Sequence, residues 1–188
     1  MRSVVVIAAS TGGPRALGRL VPELPAPLGA GTVIVQHLPS GFTAPLAQRL
    51  DRAARLRVRE ADDGDLLDPH VALLAPGGSH LRLDIAGAAA LSHAPEVGGL
   101  RPRADLTIAD AARAFGERTV LVVLTGMGDD GLAGAQEVRR RGGRVLVEAQ
   151  ETCTVYGMPR AVEEARLAHA VLPLGELPDA IAAAAEAA

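Results

Sequence analysis

Three short segments of the chain are apolar at almost every position and rich in β-branched residues. They are Val4–Ala8, Thr32–Val35 and Val120–Leu124. A strand with one face in water alternates apolar and polar residues, whereas a continuous apolar run suits a strand covered on both faces. These segments therefore predict the central strands of a parallel sheet packed between helices, and this constrains the fold more than any other feature.

Helical patterns fill the intervals between these strands. The predicted helices are Pro14–Val21, Ala44–Ala54, Ala104–Phe115 and Leu132–Arg141. Gly142-Gly143 ends the last of them, and Arg144–Val147 follows as a further strand. A final strand and helix are predicted from His169 onward.

The middle of the chain follows a different pattern. Val71–Leu74, Leu81–Ile85 and Ala88–Ser92 are short apolar runs separated by Gly, Pro and Asp. They predict one more strand and an inserted β-hairpin. The sequence thus predicts a single domain, residues 1–188, with a doubly wound α/β fold whose mainly parallel sheet is flanked by helices.

Composition excludes several classes of protein. Apolar residues form 48% of the chain and charged residues 22%, so a packed core is expected. A net charge of −3 argues against a nucleic-acid partner. No apolar run is long enough to span a bilayer, and the start of the chain has the pattern of a strand and not of a signal peptide, so we expect no membrane insertion and a cytoplasmic location.

The basic residues are all arginine, and the chain has one cysteine, Cys153. The absence of lysine excludes Schiff-base chemistry and a P-loop, and a lone cysteine excludes an internal disulfide. A basic run, with arginines from Arg49 to Arg59, precedes an acidic run from Glu60 to Asp68. We interpret these runs as solvated faces and a turn, although a basic patch beside a ligand cleft would suit an acidic partner.

Polar side chains follow directly after the three apolar strands. The first strand leads into Ser10, the second into His37, and the third into a loop containing Asp129 and Asp130. The carboxyl ends of parallel strands meet at one edge, where α/β proteins bind ligands. A hydroxyl, an imidazole and a carboxylate are the groups that acyl transfer requires. Thr11-Gly12-Gly13, just before a helix, supplies backbone N–H groups for an oxyanion.

Each of these residues also has a purely structural interpretation. Ser10 or Thr11 suits a helix N-cap, and His37 suits a hydrogen-bonded residue at a strand end. Asp129 and Asp130 suit the N-cap and the first turn of the helix that follows them. Only their joint placement at three strand ends favours a catalytic triad.

Two further motifs resemble other classes of site. Ala8–Gly12 is close to the G-x-S-x-G elbow of α/β-hydrolases, but that fold has the order Ser, acid, His. Gly126–Gly131 matches G-x-G-x-x-G, and Glu148 ends the next strand, as in dinucleotide-binding folds. Two aspartates in that loop would repel a pyrophosphate. A dinucleotide-binding regulatory module therefore remains an alternative function.

Taken together in order, the motifs resemble one family. They are Ala9–Gly13, Gln36–Pro39 with Gly41–Thr43, Ala75–Gly77 with His80, Arg101-Pro102 with Asp105, Leu124–Gly131, and Tyr156–Arg160. The sequence resembles the catalytic domain of the chemotaxis protein-glutamate methylesterase family (CheB), from Val4 to about Leu174.

The resemblance implies a specific chemistry. Ser10 corresponds to the family's nucleophile, His37 to its base and Asp130 to its acid, while Thr11 and Met127 lie near its oxyanion site. The implied activity is hydrolysis of glutamate γ-methyl esters on the cytoplasmic helices of methyl-accepting chemotaxis receptors, with glutamine deamidation in some members. It implies no cofactor and no metal. A catalytically silent receptor-binding scaffold remains a further alternative.

The sequence departs from the family pattern at three places. Ala8 stands where the family usually has Gly, and Arg103 stands where it often has a small Ser. Family proteins also begin with a receiver domain, whereas this chain starts on the first catalytic strand. We expect either a receiver-less protein, for which a separate receiver domain is a candidate partner, or a domain of a longer protein.

Overall fold

The computed structural model describes residues 2–187 and contains a seven-stranded parallel sheet. The elements in chain order are β1 (Val4–Ala9), α1 (Gly13–Leu20), β2 (Gly31–Gln36), α2 (Thr43–Asp51), β3 (Arg57–Glu60), β4 (Val71–Leu74), β5 (His80–Leu83), β6 (Ala89–Ser92), α3 (Ala104–Phe115), β7 (Thr119–Val123), α4 (Leu132–Arg140), β8 (Arg144–Glu148), α5 (Met158–Glu164), β9 (Ala170–Leu172) and α6 (Leu177–Glu186). The strand order is β3-β4-β2-β1-β7-β8-β9. Strands β5 and β6 form a separate antiparallel hairpin.

The core lies on both faces of this sheet. On one face, Ile7 and Ile34 pack with apolar residues of α1, α2 and α6. On the other, Val6 and Val33 pack with α3, α4, α5 and the hairpin. The central strands β1 and β2 are buried along their whole length, which is why they lack polar alternation. The predicted doubly wound α/β fold with an inserted β-hairpin is confirmed.

Two elements differ from the sequence prediction. The end of the basic run, Arg57–Glu60, forms the edge strand β3, which was not predicted, although Arg57 is exposed as a solvated face requires. Only Val58 of this strand is fully buried, so the segment carries little apolar signal. Helix α5 was not predicted. Within residues 2–187, no helix combines the length and the apolarity that a bilayer crossing requires.

Candidate active site

Three adjacent strands bring the predicted site residues to one edge of the sheet. Strand β1 lies between β2 and β7, and all three are parallel. Ser10 continues β1 and donates its backbone N–H to the Thr125 carbonyl beyond β7, at 3.0 Å. His37 continues β2 and donates its N–H to the Ala9 carbonyl, at 3.1 Å. The loop that follows β7 carries Met127, Asp129 and Asp130.

The His37 ring contacts the Asp130 carboxylate. His37 Nε2 lies 2.6 Å from Asp130 Oδ2, and the side chains are only 9% and 1% exposed. Asp129, in contrast, is 72% exposed and lies 4.0 Å from Arg103. The Asp pair is thus divided into one buried carboxylate on the imidazole and one exposed carboxylate at the rim.

Asp130 is also held by the start of helix α3. Its Oδ2 accepts the backbone N–H of Ala104 at 2.7 Å, and its Oδ1 accepts that of Asp105 at 2.9 Å. Arg103 Nε lies 3.1 Å from Oδ1. The alternative in which Asp129 or Asp130 caps its own helix is wrong, because α4 has Gly131 at its N-cap and no side-chain cap. Asp130 instead caps a neighbouring helix.

Asp105 completes this arrangement from the other side. Its Oδ1 accepts the N–H groups of Gly131 and Gly134, each at 2.8 Å, at the start of α4. Its Oδ2 accepts from Arg103 Nη2 at 2.7 Å. The two aspartates therefore cap each other's helices. We refer to His37, Arg103, Ala104, Asp105 and Asp130 as the Asp130 network.

The two carboxylates of this network have opposite pKa shifts. Burial raises the pKa of Asp130, but the hydrogen bonds from His37 and from the Ala104 and Asp105 amides outweigh it and hold the pKa below its ordinary value. Burial and the charge of Asp130 raise the pKa of Asp105. Asp130 is therefore the carboxylate that stays ionised beside the imidazole.

Ser10 is positioned by close packing. A Cβ on Gly126 would lie 2.8 Å from Ser10 Cβ and 2.3 Å from the Met158 sulfur, so the chain passes there only because residue 126 has no side chain. The buried Gln36 Nε2 donates to the Ser10 carbonyl at 2.9 Å. Within residues 2–187 the Ser10 hydroxyl makes no hydrogen bond, so Ser10 shares this edge of the sheet with the His37–Asp130 pair without being joined to it.

The Ser10 loop, residues 10–13, leads directly into α1. The alternative in which Ser10 or Thr11 caps this helix is wrong, because Gly12 occupies the N-cap position with φ of 85° and no side chain caps it. The backbone N–H groups of Thr11 and Met127 have no acceptor in the described part of the chain, and Met127 is 69% exposed. Both amides are thus free donors at this edge of the sheet.

Sequence reasoning assigned no role to three residues that shape the site, namely Gln36, Asp105 and Met158. Gln36 ends an otherwise apolar strand, and that change of polarity was the signal available in the sequence. Asp105 and Met158 stand in motifs that carry the family resemblance. Their contacts with Asp130 and Gly126 depend on how α3 and α5 pack, which no local pattern specifies.

The structure disfavours the dinucleotide alternative. The Glu148 carboxylate, which would bind a ribose, is fully buried and accepts the Thr125 N–H at 2.8 Å and the Thr152 hydroxyl at 3.0 Å. Cys153 is not an activated nucleophile, since burial and the nearby Glu148 raise its pKa to about 12. Among residues 2–187, no group of three or more His, Cys, Asp or Glu side chains is arranged to hold a metal ion.

Comparisons with known proteins agree on one family. The CheB methylesterase family profile matches residues 5–181. A protein-glutamate methylesterase/protein-glutamine glutaminase of Symbiobacterium thermophilum is 48% identical over 96% of this chain and 50% of its own length. A protein of the same description from Methanosarcina barkeri is 43% identical, over 96% of this chain and 52% of its own. The chain spans about half the length of the curated relatives it matches.

A solved structure matches over nearly its whole length. It is the crystal structure of the Thermotoga maritima CheB methylesterase catalytic domain, with 42% identity, a TM-score of 0.94, and coverage of 97% of this chain and 98% of that one. The fold is therefore that of a methylesterase catalytic domain. The chain belongs to the CheB methylesterase family.

Proposed function

We propose that this protein hydrolyses glutamate γ-methyl esters on the cytoplasmic helices of chemotaxis receptors. Ser10 is the nucleophile, His37 the base and Asp130 the acid of a triad, within one catalytic domain, residues 1–188, located in the cytoplasm. The observation that carries the proposal is the buried 2.6 Å contact between His37 and Asp130, beside Ser10 at the same edge of the sheet. The names of the relatives supply the substrate class.

The triad assigns each ring nitrogen of His37 a task. Nε2 is held by Asp130, so Nδ1 is the nitrogen that takes the proton of the Ser10 hydroxyl. A serine hydroxyl is a weak nucleophile until a base removes its proton. The ionised Asp130 then stabilises the imidazolium and keeps its proton on His37.

The first half-reaction forms an acyl-enzyme. Ser10 Oγ bonds to the ester carbonyl carbon, and the Thr11 and Met127 amides donate to the developing oxyanion. When the tetrahedral intermediate collapses, the bond to the methoxy oxygen breaks and His37 returns its proton to that oxygen. Methanol leaves, and the glutamyl group remains esterified to Ser10.

The second half-reaction uses water in the same way. His37 takes a proton from water as the hydroxide attacks the acyl carbon, and Ser10 leaves with that proton. The product is a free glutamate side chain. A glutamine side chain would follow the same route with ammonia as the leaving group, which agrees with the glutaminase in the names of the relatives.

The proposal is tested by methanol release from a methylated receptor. We expect wild-type protein to release methanol in proportion to enzyme concentration and His37→Ala to release almost none. Release by His37→Ala at the wild-type rate would overturn the proposed triad. Calorimetry with NAD and NADP on the same preparation tests the dinucleotide alternative, for which tight binding is the supporting result.

A further inference from the structure

A polar groove runs along α1 from the edge of the sheet that carries Ser10. Its first part, about 390 Å³, is lined by Gly12 and Thr125 at the edge, by Arg15 and Arg19 on α1, and by Glu151 on the loop after β8. A second part, about 350 Å³, shares Arg19 and continues to Glu23 beyond the end of the helix. We call this surface the α1 groove. None of its residues has a task in the proposed ester hydrolysis.

The arginines of this groove have no acidic partner. Arg15 and Arg19 are exposed, and within residues 2–187 neither guanidinium lies within 4 Å of a carboxylate, including those of Glu23 and Glu151. The groove thus carries two cationic groups and two anionic ones. Both arginines line its first part, where Glu151 is the one carboxylate.

Several arginines elsewhere in the molecule are used differently. Arg82, Arg103 and Arg140 each contact a carboxylate at 2.5–2.7 Å. Those guanidiniums fix the protein's own structure, whereas those of Arg15 and Arg19 leave their hydrogen-bonding capacity unused in a concave surface. A guanidinium offers a planar set of donors that fits a carboxylate with two parallel hydrogen bonds.

The spacing of the two arginines relates them to the nucleophile. They are four residues apart, so they lie on one face of α1 with their Cβ atoms about 6 Å from each other. Helix α1 starts at Gly13, directly after the Ser10 loop, and Arg15 and Arg19 therefore fall in its first and second turns. A peptide whose ester reaches Ser10 would place residues one or two turns away beside these guanidiniums.

We propose that the α1 groove binds an acidic segment of the substrate, with carboxylates near the ester held by Arg15 and Arg19. This inference rests on the proposed function, because the ester must occupy Ser10 when the carboxylates occupy the groove. Such binding would make the enzyme selective for methyl esters that lie among anionic residues of the substrate. Because the contacts act on binding and not on the reacting atoms, their loss raises KM and leaves kcat unchanged.

The experiment compares two synthetic helical peptides that each carry one glutamate γ-methyl ester. The first has Glu four residues before and after the ester, and the second has Gln at both places. Wild-type protein is expected to hydrolyse the Glu peptide with a KM about fivefold lower than the Gln peptide, a difference that shrinks at high salt.

The variant Arg15→Gln with Arg19→Gln is expected to hydrolyse both peptides with the same KM and with wild-type kcat. The matched control is Arg57→Gln with Arg144→Gln. It removes the same charge from two exposed arginines at the starts of β3 and β8, the opposite edge of the sheet. The control is expected to keep the wild-type preference for the Glu peptide.

Labelling of Ser10 by a fluorophosphonate distinguishes a failure of the α1 groove inference from a failure of the proposed function. If Ser10 is labelled and wild-type protein hydrolyses both peptides with equal KM, the inference is overturned and the proposed function stands. It is also overturned if the control variant loses the preference as fully as the groove variant. If Ser10 is not labelled and neither peptide is hydrolysed, the proposed function fails and the inference fails with it.

Discussion

The two sides of the candidate site differ in how completely their polar groups are satisfied. In the Asp130 network, the Asp130 carboxylate receives an imidazole, two backbone amides and a guanidinium. Around the Ser10 loop, the Ser10 hydroxyl and the Thr11 amide have no partner in the described chain. In the proposed triad, this difference means that the fold holds the base and the acid in advance and leaves the nucleophile and the oxyanion donors free for a substrate.

The largest effect that tests this difference is expected from Ser10→Ala. The variant should lower kcat for methanol release by about 10⁶-fold, because no other hydroxyl is in place to form the acyl-enzyme. Its free energy of unfolding should change by no more than about 0.5 kcal/mol, since the hydroxyl makes no hydrogen bond. Ser40→Ala, on the exposed loop after His37, is the matched control with wild-type activity.

Asp130→Asn is expected to lower both activity and stability. We expect kcat/KM to fall about 10⁴-fold, because the amide no longer stabilises the imidazolium. Urea denaturation should show a loss of about 2 kcal/mol, because a buried acceptor of four donors loses its charge. Asp129→Asn, at the exposed neighbour, should change neither quantity. An Asp130→Asn protein with wild-type stability would show that the network does not hold the fold together.

Gly126→Ala tests whether packing positions the Ser10 loop. The new Cβ would fall 2.8 Å from Ser10 Cβ, so the loop must shift. We expect activity to fall about 10²-fold and stability to fall by about 1–3 kcal/mol. Gly18→Ala is the control, because a Cβ there meets nothing within 4 Å on the exposed side of α1. Full activity in Gly126→Ala would mean that the close packing against Ser10 is not required.

The smallest expected effect is a pH dependence of the unfolding free energy that arises from Asp130 and not from the Ser10 loop. The folded-state pKa of Asp130 lies below its ordinary value, so the ionised carboxylate stabilises the fold. This stabilisation is complete above the pKa of an unfolded aspartate, about 3.9, and is lost as pH falls through the lower folded pKa. The difference in unfolding free energy between wild type and Asp130→Asn should therefore shrink as pH falls below about 4.

The Ser10 loop supplies the control for that measurement. Because Ser10 does not titrate in this range, the difference between wild type and Ser10→Ala should stay flat across the same pH values. An Asp130→Asn difference that grows as pH falls below about 4 would contradict the lowered pKa.

The sequence predicts the strands that carry the site better than the contacts between the side chains within it. Continuous apolar runs identify β1, β2 and β7 because full burial on two faces leaves a local pattern, and Ser10, His37 and Asp130 follow at their ends. Edge strand β3 has one fully buried residue, Val58, and so leaves almost no pattern.

Contacts between helices that are distant in the sequence are even harder to predict from a local pattern. As a possible helix cap, Asp130 was predicted to cap α4, the helix that follows it in the sequence. In the structure it caps α3, which starts at Ala104. Asp105, which caps α4 in return, looks like an ordinary first-turn acid until α3 and α4 are packed together.

The central claim is that His37 and Asp130 activate the Ser10 hydroxyl. Mass spectrometry of protein treated with a fluorophosphonate measures this directly as the rate at which Ser10 is modified. We predict rapid modification of wild-type protein at Ser10 alone, and much slower modification of His37→Ala and Asp130→Asn. Modification of His37→Ala at the wild-type rate, or at a residue other than Ser10, would contradict the claim.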